Sequence, residues 1–183
     1  VAKASEIAGT IGGLAELSTA RSSRVFGTTQ TVEDIIAALK EFNECVRYLN
    51  TRRSAGTILK MDSEAAVQDS IYLIVRPWVP DLVPEAPTDK SGNRFTVRDF
   101  RSKALHVVIE AKYVRDKQHG RTITKELHDD IEVYRHCPYC DTILFFIYDP
   151  DSHIPDEREL RRPIEQSRVY DGRQLRCVLI VKP

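Results

Sequence analysis

Apolar residues recur along this chain at two spacings, and the change from one to the other marks its elements. From Thr31 the spacing is helical. Ile35, Ile36, Leu39, Phe42, Val46 and Leu49 fall on one stripe that ends near Asn50. Thr31 stands where a capping residue belongs, with Asp34 three positions on. A second helix is expected from Glu64 to about Val75, with Val67, Ile71, Ile74 and Val75 apolar. Asp62 and Ser63 can cap it, and Pro77 and Pro80 stop it. A third opens at Thr124 and runs to about Tyr134, burying Leu127, Ile131 and Tyr134. Between them the period falls to two. Leu105, Val107 and Ile109 point to one face of a strand, and His106, Val108, Glu110 and Lys112 to the other. Phe95 to Phe100 supplies the first arm of a hairpin with that strand, and Arg101 to Lys103 its turn.

Ile143 to Tyr148 is an unbroken apolar run, the mark of a central strand buried on both faces. A short helix is expected from Pro155 to Arg162, its acids before its bases. After a turn at Tyr170 to Arg173, the alternation of Leu175, Cys177, Leu179 and Val181 with polar and apolar neighbours gives a closing strand. Residues 1 to 20 place Ile7, Ile11, Leu14 and Leu17 at helical spacing. Gly9, Gly12 and Gly13 oppose that helix, each costing roughly 1 kcal/mol against Ala. The pattern is that of an α/β fold: a mixed β-sheet flanked by helices, with an N-terminal helical segment over 1–60 and the main domain over 61–183.

Composition narrows the class. The chain has 183 residues, 42% hydrophobic and 30% charged, so it can bury a sizeable core. No apolar run approaches the ~20 residues that span a bilayer, and no signal peptide is present, so a cytoplasmic setting is expected. The chain opens on Val1 rather than Met, which leaves room for further domains of a longer chain. Formal net charge is zero. The local distribution changes the picture. Between Arg94 and Lys125 there are nine basic residues against three acids. A phosphate backbone would bind such a patch and release counterions. A polar, Gly-containing stretch from Lys117 to Arg121 looks like a basic loop suited to that contact.

The chemistry concentrates where the hairpin strand ends. Glu110 and Lys112 project side by side from an otherwise apolar strand, a place charges rarely occupy unless paired or binding an ion. Asp99, on the preceding arm, can reach the same point. Two carboxylates can hold a hard divalent cation such as Mg2+ or Mn2+. A lysine beside them can orient a water or steady negative charge on a phosphate.

Asp99, then Glu110-Ala111-Lys112, followed by Lys125-Glu126-Leu127, Asp130-Ile131, Tyr134, His136-Cys137-Pro138 and Tyr148-Asp149-Pro150, resembles the PD-(D/E)xK nucleases. The order of these pieces is similar to the branch related to GATC-cutting type II restriction endonucleases, over roughly residues 62 to 183. That branch is also found in bacterial defence proteins. The resemblance implies a restriction-endonuclease-like sheet and a metal-dependent endonuclease acting on nucleic acid, DNA foremost. It implies Asp99, Glu110 and Lys112 as catalytic residues. Asp99, Glu110 and Glu64 would be the metal ligands. Arg94, Arg115, Lys117 and Lys125 would be the phosphate contacts. A homodimer is left open. Arg98, not Pro, precedes Asp99, while a literal Pro80-Asp81 lies upstream. Asp81 and Glu85 therefore stand as alternatives for the first acid.

Two other readings compete. A chain that keeps the nuclease fold without turnover would be a binding or assembly module. Cys137-Pro138-Tyr139-Cys140 spells a redox motif, but such motifs lie between a strand and a helix N-terminus, where the thiol pKa is lowered. Here a helix ends and a strand follows. His136, Cys137 and Cys140 fall one ligand short of structural zinc. A turn with small, partly buried cysteines is the expectation for this stretch.

Overall fold

The structure is a computed structural model, and it describes residues 30–51, 56–84 and 100–183. The expected N-terminal helix at 1–20, the hairpin arm over 95–99, and the candidate residues Asp99, Arg94 and Glu85 lie outside the described residues.

The described helices are α1 (Val32–Lys40), α2 (Phe42–Thr51), α3 (Glu64–Val75), α4 (Lys117–Tyr134) and α5 (Glu157–Ile164). The strands are β1 (Val83–Pro84), β2 (Phe100–Ser102), β3 (Val107–Tyr113), β4 (Thr142–Tyr148), β5 (Arg168–Tyr170) and β6 (Arg173–Lys182). They form one six-stranded sheet in the order β1-β2-β3-β4-β6-β5. The first three strands are antiparallel neighbours. β3, β4 and β6 run parallel, and β5 folds back on β6. Helix α4 is the crossover between β3 and β4, as a parallel pair requires.

The sheet has a core on each side. Val107, Ile109 and Ala111 of β3 join Leu144, Phe146 and Ile180 against Ile35, Ile36, Leu39, Phe42 and Val46 of α1 and α2, and against Val67, Ile71 and Val75 of α3. On the other face, Val108, Ile143, Phe145, Ile147, Leu175, Cys177 and Leu179 pack on Ile123, Leu127, Ile131 and Tyr134 of α4 and on Leu160 and Ile164 of α5. This is the alternation read from the sequence. β4, covered on both sides, carries no polar residue after Thr142 until Tyr148.

Three local expectations are corrected. The single helix expected over 31–50 is two, because the Glu41 N–H bonds the carbonyl of Ala38, only three residues back, and tightens the chain. The hairpin turn covers Lys103 to His106 rather than 101–103, with His106 in the left-handed region at φ 49°. The supposed basic loop at 117–121 is the first turn of α4. Asp116 caps it, accepting from the His119 N–H at 2.8 Å. Gly120 signalled a loop, yet it serves packing: a Cβ there would lie 2.4 Å from the His153 carbonyl oxygen.

One turn and one edge complete the frame. The β5–β6 hairpin turns on Asp171 (φ 51°) and Gly172 (φ 78°), the paired left-handed residues that suit strand twist. Beyond β5 the edge of β6 is shielded by α5. Arg161 donates to the Leu179 carbonyl at 2.7 Å, and Glu165 accepts the Leu179 N–H at 2.8 Å.

Candidate active site

β3 is parallel to β4 in a register that sets Glu110 beside Phe145 and Lys112 beside Ile147. Two charged side chains therefore leave the middle of an apolar sheet on the face covered by α4. Glu110 is only 4% exposed. Its Oε2 lies 3.9 Å from the Lys112 ammonium, whose side chain is 14% exposed. A pair this deep is costly unless further partners satisfy it. Helix α4 provides them. The Tyr134 hydroxyl donates to Glu110 Oε1. Asp130 Oδ2 lies 2.9 Å from the Lys112 ammonium, with its own side chain 18% exposed.

The electrostatics follow from this packing. Burial alone would lower the Lys112 pKa. The charges of Asp130 and Glu110, the hydrogen bond the ammonium donates to Asp130 and the more distant charge of Glu64 outweigh it, so the pKa is raised. Lys112 is a fixed cation at any physiological pH. Burial lifts the Asp130 carboxyl above its usual range, and the Lys112 ammonium pulls it part of the way back.

The other expected residues divide by position. Glu64 is the first residue of α3, exposed, behind the Ser63 cap that accepts from the Ala66 N–H. It acts on Lys112 through its charge. Asp81 sits at the other end of the hairpin. Its carboxylate accepts from the Ser102 hydroxyl at 2.7 Å and the Ala104 N–H at 2.8 Å. Ser102 is paired with Val107, three residues before Glu110, a separation of roughly 10 Å along the strand. Asp81 therefore ties down the turn. Arg115, Lys117 and Lys125 are exposed, with Arg121 between the last two. Lys117, Arg121 and Lys125 are four residues apart in turn, so they form one ridge along α4. Glu126, which shares a helix with them, is turned to His119 Nε2 at 3.2 Å.

Asp130 escaped the sequence reading. It stands in the family pattern quoted above, but no role was assigned to it. The available signal was its four-residue offset from Tyr134, which places it beside the buried stripe of Leu127 and Ile131.

The Cys137–Cys140 turn does not offer a reactive thiol. Burial pushes the Cys140 thiol up to about 12, and the Cys177 thiol beneath it up to about 11. A redox cysteine needs the opposite shift. Among the described residues, no three histidine, cysteine or acidic side chains gather as a ready cation cage. The donors at Glu110 and Glu64 are hard oxygens. Mg2+ keeps several of its waters and is held through one or two carboxylates, so Glu110 with one further acid fits it in kind. Among the described residues, no helix is long and apolar enough to cross a membrane.

A mixed sheet whose inner strand presents Glu-x-Lys, flanked by helices on both faces, is the architecture of restriction-endonuclease-like proteins. A family model described as REase_DpnII-MboI matches residues 32–182. The chain belongs to this family of DpnII-MboI restriction endonucleases. No curated protein and no solved structure matches it.

Proposed function

We propose that this protein is a metal-dependent DNA endonuclease whose chemistry is carried by Glu110 and Lys112, with Asp99 as the second carboxylate. The observation that carries the proposal is the convergence of Glu110 and Lys112 in a buried setting that keeps the lysine cationic. Described strand β2 begins at Phe100, paired with Ile109, the neighbour of Glu110. That register supports Asp99, the residue before Phe100, as partner acid over Asp81. Glu64 is the further acid we assign to the same cation.

Mg2+ or Mn2+ would supply Lewis acidity toward the scissile phosphate and a more acidic water. The protein's own part is separate. Glu110 contributes negative charge at a fixed position. Lys112, held protonated, does not take a proton from water. It donates hydrogen bonds and stabilises charge that develops on the phosphate oxygens. The exposed Arg115, Lys117, Arg121 and Lys125, together with Arg94, hold the DNA backbone and fix its register without reading sequence. A role in bacterial defence is what the family resemblance implies, and a cytoplasmic setting is what the scattered, unpaired cysteines imply.

Cleavage of supercoiled plasmid with Mg2+ tests this. Wild-type protein is expected to nick or linearise it, and Glu110→Gln, which keeps the Tyr134 contact, to lose about 100-fold or more. Intact plasmid after incubation with excess wild type in Mg2+ and in Mn2+ would refute the proposal. Binding without cutting would return the reading of an inactive binding module.

A further inference from the structure

Helix α4 meets the site through two polar side chains one turn apart, and both are spent on the two residues assigned to chemistry. We propose that Asp130 and Tyr134 are positioning residues: Asp130 places the Lys112 ammonium, and Tyr134 orients the Glu110 carboxylate. This rests on the nuclease reading above.

The geometry separates the two tasks. Lysine is a point charge on a four-carbon stem with three rotatable donors, so one carboxylate does not fix where it points. Lys112 lies between two, Asp130 Oδ2 at 2.9 Å and Glu110 Oε2 at 3.9 Å. The shorter contact belongs to Asp130. Asp130 is thus the main anchor of the ammonium, and Glu110 keeps the looser one. Glu110 is treated in the same way. Its Oε1 accepts the Tyr134 hydroxyl, which turns Oε2 toward the lysine. Tyr134 is 1% exposed within the apolar packing of α4, so its ring cannot swing away. Carboxylates and lysines that act at a metal centre depend on such outer partners, whose loss typically costs 10–100-fold in metal affinity or activity. Both anchors come from one rigid helix, the element best able to hold them.

A purely structural role would also leave these groups paired, so the test uses readouts that such a role would not move. In plasmid cleavage, Asp130→Asn is expected to lower kcat about 10–100-fold with KM for DNA within about twofold. Asp130→Glu keeps the charge but moves it by a methylene; positioning predicts a lowered kcat, whereas a counter-charge alone predicts full activity. It also decides the matter if Asp130→Asn does not fold by circular dichroism. Independently of activity, Tyr134→Phe is expected to weaken Mn2+ binding about tenfold by titration calorimetry. Wild-type kcat in Asp130→Glu or in Asp130→Asn, or unchanged Mn2+ affinity in Tyr134→Phe, would overturn the corresponding assignment while the nuclease stands. A wild type that cuts nothing in either metal would instead remove the nuclease reading, and this role with it.

Discussion

Lys112→Met removes the ammonium from this buried cluster, and it should cost stability as well as activity. The ammonium stands 2.9 Å from Asp130 and 3.9 Å from Glu110. At an effective dielectric of about 20 those contacts amount to roughly 6 and 4 kcal/mol of gross attraction. Desolvation of the lysine offsets much of it, and removing one partner of a buried pair costs about 3–5 kcal/mol net. A second route gives the same ceiling. An unpaired buried acid can take up a proton, which at pH 7 costs about 1.4 kcal/mol per unit above an ordinary pKa near 4, or roughly 4 kcal/mol. The sign follows. The Asp130 carboxyl is already raised, and loss of Lys112 raises it further. A group raised in the folded state contributes its stability below its unfolded pKa and loses it as pH rises through the folded one. The deficit of Lys112→Met is therefore small near pH 4 and grows toward pH 8. Urea unfolding followed by circular dichroism at pH 5, 6.5 and 8 measures it. Adding Asp130→Asn should recover much of the loss, since replacing both members of a buried pair is often neutral. A deficit under about 1 kcal/mol at pH 8, or one that does not vary with pH, would refute the reasoning.

Gly120→Ala should destabilise the fold by about 1–3 kcal/mol in the same assay. Ala gains roughly 1 kcal/mol of helix propensity, but its Cβ would sit 2.4 Å from a backbone oxygen that must move; a variant more stable than wild type would refute this. Replacing Lys117, Arg121 and Lys125 together by Gln should reduce the dependence of log DNA affinity on log salt by about 3, measured by fluorescence anisotropy across a salt series; an unchanged slope would show that the ridge faces away from DNA. Of the four thiols, Cys45 is exposed and Cys137, Cys140 and Cys177 are buried, so Ellman's reagent should label one fast and three only on unfolding. Because the Cys140 and Cys177 pKa values are raised to about 12 and about 11, their stabilising effect is present below the ordinary value of 9.0 and lost as pH rises past it. Cys140→Ala should flatten that decline in urea unfolding between pH 9 and 11.

The sheet was legible because its apolar runs and alternations follow the two packed faces. The continuous run of β4 matches burial on both faces, and the two residue sets of β3 fall on the two cores as their alternation requires, so period and packing agreed. Glu110 and Lys112 were legible for a related reason: charges at inward positions of an apolar strand stand out against what surrounds them. The start of α4 was not. Gly120 carries the same letter whether it loosens a loop or lets a helix approach a carbonyl, and only the position of His153 decides. Asp81 was misleading in a similar way. Pro-Asp has the look of a metal motif, but its carboxylate is spent on the Ser102–Ala104 turn. Asp130 was hidden because it lies at the border of the stripe, where a one-residue rotation separates a solvated acid from a buried one.

The placement of α4 explains why its sequence is so unevenly charged. Its first two turns carry Lys117 and Arg121 on the exposed side, with Lys125 one turn further on, and its last two turns carry Asp130 and Tyr134 on the buried side. Thirteen residues separate Lys117 from Asp130, roughly 20 Å of continuous helix. On the function proposed above, α4 grips a DNA backbone at one end and holds the lysine assigned to catalysis at the other, which fixes the distance between them without any loop. That distance matters, because misplacing a reacting group by about 1 Å can cost 100-fold in rate. The Asp116 cap, the contact of Gly120 with the 149–154 turn and the buried Leu127 and Ile131 then serve one purpose: they keep the helix from sliding along the sheet. On this proposal, the residues that fix α4 in place matter to the site as much as Glu110 and Lys112 do.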